Sequence, residues 1–312
     1  MKKSNAKEKI CGLASYAVLT VLTVAACWFF AGRYGVFGAN MDWISQHSVF
    51  PEYFRQQFYK TGQFFPEYAA NIGGGQNIYN FSYYGLYNPI VLIAYLLPFV
   101  KMSDYLMAAS VICLAVSVCL LYGWLKKRGF STEIALGVAV LFLLAGPIYQ
   151  SCHQIMFVQY MPFLLMTFLG VDRYWEKGKP GLYTLGVFLM ILTSFYFSIA
   201  GMAAIFLYGW YGYPKGIRKR KLFGFPVPMI VAVLSAGVLL VPTAYAILQR
   251  SGSSQSQNLK ELLMPNLQLD SSLYGTYSVG LTVILVAVLL GGIVCGSIRE
   301  RVVSVVCVAL LT

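Results

Sequence analysis

Long apolar stretches separated by short polar ones run along the whole chain. The first extends from Ile10 to about Ala31. Later apolar stretches cover Asp104–Leu125, Glu133–Tyr149, Phe157–Val171, Gly181–Gly212, Phe225–Leu248, Val279–Ser297 and Val302–Thr312. A helix needs about 20 apolar residues to cross roughly 30 Å of hydrocarbon. The pattern therefore predicts an all-α polytopic membrane protein, a single transmembrane domain over residues 1–312 with about 8 to 9 membrane segments.

Two stretches depart from a simple crossing. Pro89 to Val100 has only 12 residues, which is too short to cross, so we expect a re-entrant segment covered by other protein. The 32 residues from Gly181 to Gly212 are interrupted at Thr193 and Ser194. They form either two helices that turn near Phe195 to Ser198 and cross twice, or one long tilted helix that crosses once.

Composition and charge agree with a membrane protein. The chain is 58% hydrophobic and 11% charged, against roughly 25% charged residues in soluble domains, which excludes a cytosolic globular enzyme. The net charge of +12 indicates topology rather than nucleic acid, because the basic residues cluster between apolar stretches. A double crossing of 181–212 puts 17 of the 23 Lys and Arg residues in the cytoplasm with the N-terminus. A single crossing would export the Lys215 to Lys221 cluster, so the double crossing is favoured.

This topology leaves two sizeable outer loops, residues 32–103 and 249–278. Because the predicted spans are nearly free of ionisable groups, a functional site is expected at the membrane surface, above all in the first loop. Aromatic residues at helical spacing from Asp42 to Phe58 predict an amphipathic helix in the outer interface, with a possible kink at Pro51. That helix either anchors the loop or forms part of the site.

Asp42 is the first candidate for a catalytic base, since it follows the first span directly and is held near lipid headgroups. His47 comes five residues later, about 140° around an α-helix. We therefore expect His47 to be a solvated surface residue that does not face the same site as Asp42. Glu52 and Glu67 each follow a proline and are also expected to be solvated.

Metal, nucleotide and disulfide signatures are weak. The seven cysteines form no CxxC pair, and the spacing of Asp42, His47 and Glu52 matches no metal-ligand signature. No metal ligand is assigned. Gly73, Gly74 and Gly75 lack the GK[ST] that follows in a phosphate-binding loop, so they predict a flexible turn.

Several short motifs follow one another in a fixed order. They are Met41-Asp42-Trp43-Ile44-Ser45-Gln46, Arg55, Gly62 to Tyr68, Gly73-Gly74-Gly75, Tyr83-Tyr84, Asn88-Pro89, the apolar run to Pro98, Met161-Pro162 and Ser194-Phe195-Tyr196. In this order they resemble YfhO-like bacterial membrane proteins over most of the chain. That family is similar in architecture to the GT-C class of glycosyltransferases. The resemblance implies a GT-C-like helical bundle in the bacterial cytoplasmic membrane, with its active face extracytoplasmic.

The resemblance also implies a reaction. A sugar would move from a polyprenyl-phosphate carrier to a cell-wall polymer such as teichoic acid, with Asp42 as the base that deprotonates the acceptor hydroxyl. Arg55 is the candidate for the carrier phosphate, and His47, Tyr83, Tyr84 and His153 are further candidates for binding carrier or substrate. A divalent metal is possible. However, residues 150–160 lack the acidic residue expected in the second outer loop, which argues against metal-assisted chemistry.

Two other functions stay open at this point. A flippase or transporter for lipid-linked cell-envelope precursors would need a polar path between the spans, and no charge is visible in the middle of them. A non-catalytic assembly subunit would have Asp42 pointing away from any cavity. The last apolar stretch, Val302 to Thr312, is half a span long, so we expect the chain to be the N-terminal part of a longer protein.

Overall fold

The computed structural model describes residues 2–34, 42–72, 74–145, 155–213, 219–249 and 290–311. Most of these residues are helical. The helices are α1 (Lys2–Tyr34), α2 (Val49–Thr61), α3 (Pro89–Ile93), α4 (Met102–Lys127), α5 (Thr132–Leu143), α6 (Ile155–Lys177), α7 (Gly181–Thr193), α8 (Phe197–Gly212), α9 (Lys219–Phe223), α10 (Val227–Gln249) and α11 (Ile298–Leu311). A π-helical turn (Trp43–His47), 3₁₀ turns at Ile78–Tyr84 and Ala94–Leu96, and the antiparallel strands β1 (Tyr68–Ala69) and β2 (Gln76–Asn77) lie between α1 and α4.

Three stretches among the described residues are long and apolar enough to cross a membrane. They are Gly12–Ala31, Met102–Lys127 and Lys221–Gln249. Three shorter apolar helices, α5, α7 and α8, have 12, 13 and 16 residues. The prediction of an all-α membrane protein is confirmed at this level. The total of 8 to 9 membrane segments stays a prediction.

The first helices form one packed bundle. Tyr16 of α1 packs edge-on against Tyr122 of α4, with ring centroids 5.1 Å apart. Leu19, Leu114 and Ala139 are fully or almost fully buried in the same cluster, which joins α1, α4, α5 and α6. Small side chains such as Ala139 allow helix axes to approach closely, and close packing replaces the hydrophobic effect as the driving force inside a bilayer.

The stretch from 181 to 212 is two helices that reverse direction. Ser194 is extended (φ −156°, ψ 99°) and ends α7, and its hydroxyl accepts a hydrogen bond from the backbone N–H of Phe197 at the start of α8. Tyr183, early in α7, packs against Gly170, and Tyr208, late in α8, bonds to Asp172. Both outer ends of the pair therefore lie at one end of α6. The alternative of a single long helix is wrong, because the chain turns back at residues 194–196.

The described part of the first loop, residues 42–72 and 74–101, has a core of its own, and we call it the first-loop segment. Trp43, Phe54, Ile78 and Leu86 are buried in that core. The segment is fastened to α10 by a hydrogen bond between the hydroxyls of Tyr87 and Thr243, 3.0 Å apart. Its aromatic residues are therefore largely internal.

The predicted helix from Asp42 to Phe58 is divided at Ser48. The π-helical turn precedes this residue and α2 follows it. Pro51 lies in the first turn of α2, where its missing N–H leaves no hydrogen bond unmade. Phe54 and Arg55 on α2 are buried in protein. The position of this helix relative to a membrane interface stays a prediction.

The short stretch from Pro89 to Val100 does not form a crossing helix. Asn88 caps α3 by accepting a hydrogen bond from Ile90 N–H at 2.9 Å, and Pro89 occupies the first helical position, which suits its fixed φ. After one 3₁₀ turn, exposed residues 97–100 lead to α4. The stretch from Pro89 to Val100 is therefore a short, interrupted segment as predicted. Its depth in a membrane stays a prediction.

The glycine turn closes the hairpin between β1 and β2. Gly74 and Gly75 have φ of +80° and +101°, and Gly73 lies outside the described residues. A Cβ on Gly75 would lie 1.9 Å from the Tyr68 hydroxyl oxygen. The predicted turn is confirmed, and the positive φ at Gly75 favours glycine, whereas the exposed Tyr68 side chain could move away from a Cβ.

Candidate functional site at Asp42

The carboxylate of Asp42 is held by a short polar network. Asp42 immediately precedes the π-helical turn and is half-buried. The side-chain amide of Gln46 donates a hydrogen bond to Asp42 Oδ1 at 3.4 Å, and the Tyr84 hydroxyl donates to Gln46 Oε1. Gln46 and Tyr84 are neutral, so they orient the carboxylate without pairing it with a positive charge.

The π-helical turn brings Asp42 and His47 to the same side of the chain. Its hydrogen bond spans five residues, from Ser48 N–H to Trp43 C=O at 3.1 Å, so the turn is wider than that of an α-helix and positions five apart are closer in angle than about 140°. The negative charge of Asp42 also acts on His47, where it raises the imidazole pKa. The expectation that the two residues face different ways is wrong, because it assumed the angular spacing of an α-helix.

His47 is a buried residue. Only 2% of its surface is exposed, so the expectation of a solvated histidine is wrong. Burial lowers the His47 pKa below its ordinary value of 6.5, and the opposing effect of Asp42 is smaller. Its ring centroid lies 5.6 Å from that of Tyr84. The imidazole is therefore neutral at pH 7 and does not form an ion pair with Asp42.

A small void separates His47 from Asn88. Its volume is about 10 Å³, close to the least that holds one water molecule, and Tyr84 also lines it. Among the described residues, His47 Nδ1 has no hydrogen-bond partner. Asn88 is buried and donates from its amide nitrogen to Gln159 Oε1 at 2.6 Å. This bond ties the first-loop segment to α6.

Tyr83 connects the Asp42 network to the turn between α7 and α8. Its ring meets Phe195 and Tyr196 edge-on, at centroid distances of 6.0 and 6.3 Å. Tyr196 is 65% exposed, so this end of the network is open. Burial raises the pKa of Tyr83 to about 12, which keeps its hydroxyl protonated. Of these two predicted site residues, Tyr84 bonds to Asp42's partner Gln46, and Tyr83 contacts Tyr84 edge-on with ring centroids 5.6 Å apart.

Arg55 lies apart from the Asp42 network, at the contact between α2 and the end of the 89–100 stretch. Its guanidinium is 6% exposed and donates to the carbonyls of Leu97 at 2.9 Å and Val100 at 3.0 Å. Its other terminal nitrogen pairs with Glu52 at 2.5 Å. Arg55 thus fastens the end of the short 89–100 stretch to α2. The structure does not bring it to the Asp42 network, and these contacts argue against the carrier-phosphate role.

The remaining predicted residues have mixed outcomes. Glu52 is half-buried and paired with Arg55, so the expectation that it is solvated is wrong, whereas Glu67 is exposed as expected. His153 and the second loop, 249–278, lie outside the described residues, apart from Gln249. Among the described residues, no group of three His, Cys, Asp or Glu side chains could hold a metal ion.

Comparison with known proteins places the chain in a family. The model of the family described as "Bacterial membrane protein YfhO" matches residues 16–308. The chain belongs to the YfhO family. The match begins inside α1 and ends inside α11, so it includes the Asp42 network. No curated protein and no solved structure matches the chain.

This YfhO-family protein has a second buried carboxylate that the sequence analysis missed. Asp172 is 5% exposed and accepts hydrogen bonds from Trp124 Nε1 at 3.1 Å and from the Tyr208 hydroxyl. Arg128 lies 3.9 Å from it and stacks over the Tyr208 ring. The apolar stretch that predicted this helix ends at Val171. The next residue that typically ends a helix is Gly178, whose φ is +68°. A helix predicted to end at this glycine would have included Asp172.

Gln159 was also missed. It is fully buried, and its amide nitrogen has no partner among the described residues. Gln159 lies in the 150–160 stretch, where the sequence was searched only for an acidic residue. Its place just inside an apolar stretch was the available signal, since a polar side chain there must find a partner in another element.

Proposed function

We propose that this YfhO-family protein is a membrane glycosyltransferase that moves a sugar from a polyprenyl-phosphate carrier to a cell-envelope polymer such as teichoic acid. The observation that carries the proposal is the Asp42 network: a half-buried carboxylate, bonded by Gln46 and in turn by Tyr84, eight residues after the end of the membrane-length helix α1. The family membership supports a role in the bacterial envelope.

Asp42 would act as the general base. Its carboxylate takes the proton of the acceptor hydroxyl while that oxygen forms a bond to the anomeric carbon of the sugar. The bond between the anomeric carbon and the phosphate oxygen breaks, and the electron pair leaves with the lipid phosphate. Configuration at the anomeric carbon inverts in this single displacement.

The neighbours of Asp42 suit this role. Gln46 bonds weakly, at 3.4 Å, so the carboxylate keeps lone pairs for a substrate hydroxyl. His47 is neutral, so no imidazolium competes for the negative charge. The exposed ring of Tyr196, reached through Tyr83, offers an apolar face for a sugar ring or the carrier chain at the open end.

The alternative is a flippase or a non-catalytic assembly subunit for lipid-linked precursors. The buried carboxylate of Asp172 favours transport, because ionisable residues inside membrane helices often mark transport paths. However, Gln159 and Asp172 are 13 residues apart on α6, which is about 20 Å. Between them α6 buries Leu165, Thr167 and Val171, and the Thr167 hydroxyl donates to the Phe163 carbonyl of its own helix. No charged side chain of α6 therefore lies between the two clusters.

The test uses the purified full-length protein in liposomes. Radiolabelled polyprenyl-phosphate sugars are added with isolated wall polymer, and label in the polymer is counted. Transfer of one label to the polymer supports the proposal. Movement of the labelled carrier between leaflets without transfer to polymer supports the flippase and contradicts the transferase.

A further inference from the structure

A groove opens between α1 and α4. Its volume is about 570 Å³. Tyr16 and Thr20 of α1 form one wall, and Ala115, Cys119 and Gly123 of α4 line the groove opposite them. Both helices are among the described stretches long and apolar enough to cross a membrane. The groove is therefore expected to open toward hydrocarbon.

The two helices touch at one end of the groove. The Tyr16 ring packs edge-on against Tyr122, and a Cβ on Gly123 would lie 2.7 Å from the Tyr16 hydroxyl. Thr20 Oγ1 lies 3.7 Å from Cys119 Sγ, and farther along α4 the short side chain of Ala115 leaves space. An empty groove of this size would deprive its walls of dispersion contacts, so an apolar occupant is favourable.

Lys127, about one helical turn beyond Gly123, places a positive charge at the end of the groove where the two helices touch. Its ammonium lies 3.1 Å from Glu176, and these side chains are 38% and 51% exposed. An exposed pair of this kind contributes little to stability, so an anionic group can replace Glu176 as the partner of Lys127.

The surroundings of Lys127 are strongly basic. The ends of α4 and α6 meet through the hydrogen bond from Trp124 to Asp172. Residues 126–128 and 172–177, which these ends contribute, include five basic and two acidic side chains. The net positive charge at this end of the groove attracts the headgroups of anionic lipids.

We propose that the α1–α4 groove binds one acyl chain of an anionic phospholipid, with the lipid phosphate at Lys127. From Lys127 to Ala115 is 12 residues of α4, which is about 18 Å. Half of the hydrocarbon core is roughly 15 Å. The groove therefore has the length of one leaflet, with its charged end at headgroup depth. This site does not depend on the transferase proposal.

The test counts lipids that stay bound to the purified full-length protein. The protein is reconstituted in equal parts of phosphatidylglycerol and phosphatidylcholine, and native mass spectrometry measures the retained lipid. Lys127→Gln should lower the preference for phosphatidylglycerol about fivefold, the factor expected for one basic residue at an anionic surface. Ala115→Phe should abolish retention of the groove lipid. Lys179→Gln, at an exposed position that does not line the groove, is the matched charge control.

Cys119 provides a second measurement that does not depend on a variant. It lines the groove and is partly exposed. Alkylation of Cys119, mapped by peptide mass spectrometry, should proceed in delipidated protein and slow when phosphatidylglycerol is added. Three results would overturn the proposal: unchanged preference in Lys127→Gln, an equal loss in Lys179→Gln, or a Cys119 that stays unreactive after delipidation because protein covers it.

Discussion

Ser48 donates two hydrogen bonds to the carbonyl oxygen of Trp43, one from its backbone N–H at 3.1 Å and one from its hydroxyl at 2.8 Å. The pair closes the π-helical turn that follows Asp42. Such turns are rare and often lie at functional sites. Here the turn aligns Asp42 with His47, so the conformation of this turn controls the direction of the proposed catalytic carboxylate.

Removing the Ser48 hydroxyl tests that relationship. Ser48→Ala loses the 2.8 Å hydrogen bond and should reduce the free energy of unfolding by about 1 kcal/mol. Sugar transfer should fall by a larger factor than this small loss explains, since the Asp42 carboxylate would be misdirected. Thermal melting and initial rates are measured together. Ser103→Ala, on an exposed side-chain contact, is the control, and equal behaviour of the two variants would contradict the role of the turn.

Acid should destabilise the protein through His47. Because burial lowers the folded-state pKa of His47 below 6.5, the unfolded chain binds more protons as pH falls through that value. The free energy of unfolding should therefore decrease from pH 7 toward about pH 5, where most carboxylates are still ionised.

His47→Gln is the variant that isolates this effect. Its melting temperature should vary less over the same pH interval, measured in the same detergent and buffer series. A wild-type melting temperature that is constant over this interval, or an undiminished slope in the variant, would show that His47 is not the group that titrates.

Much of this architecture follows from the lengths of the apolar stretches and from the residues that interrupt them. The reversal at Ser194 and the short stretch after Pro89 were predictable, because helix length decides what can cross a bilayer. The π-helical turn was not, since the aromatic spacing fits an α-helix and hydrogen bonds from Ser48 decide the turn. The partners of Asp172 and Gln159 come from distant helices, so their burial required tertiary structure.

Arg55 is expected to stabilise the fold rather than bind phosphate. Arg55→Gln removes the charge-assisted hydrogen bonds to the Leu97 and Val100 carbonyls and should reduce the free energy of unfolding by about 3 kcal/mol. Denaturant titration of the purified protein measures this loss. If the variant keeps its stability and only the KM for the lipid-linked sugar rises, Arg55 binds the carrier after all.

The Asp172 cluster should hold together α4, α6 and α8. Asp172→Asn replaces the buried carboxylate that accepts hydrogen bonds from Trp124 and Tyr208 by a neutral amide, so stability should fall by about 2 kcal/mol. Asp104→Asn, at an exposed position, should change it by less than about 0.5 kcal/mol. Melting curves of both variants in one detergent provide the comparison. Equal curves would contradict a structural role for Asp172.

Asp42→Asn tests the central claim most directly. The substitution keeps the size and the neighbours of the side chain but removes the group that accepts the proton. Transfer of labelled sugar to wall polymer should fall by a factor of about 10² to 10⁴, with insertion and melting temperature unchanged. Glu67→Gln, an exposed carboxylate in the same first-loop segment, should transfer at the wild-type rate. Wild-type transfer by the Asp42→Asn protein would contradict the proposed mechanism.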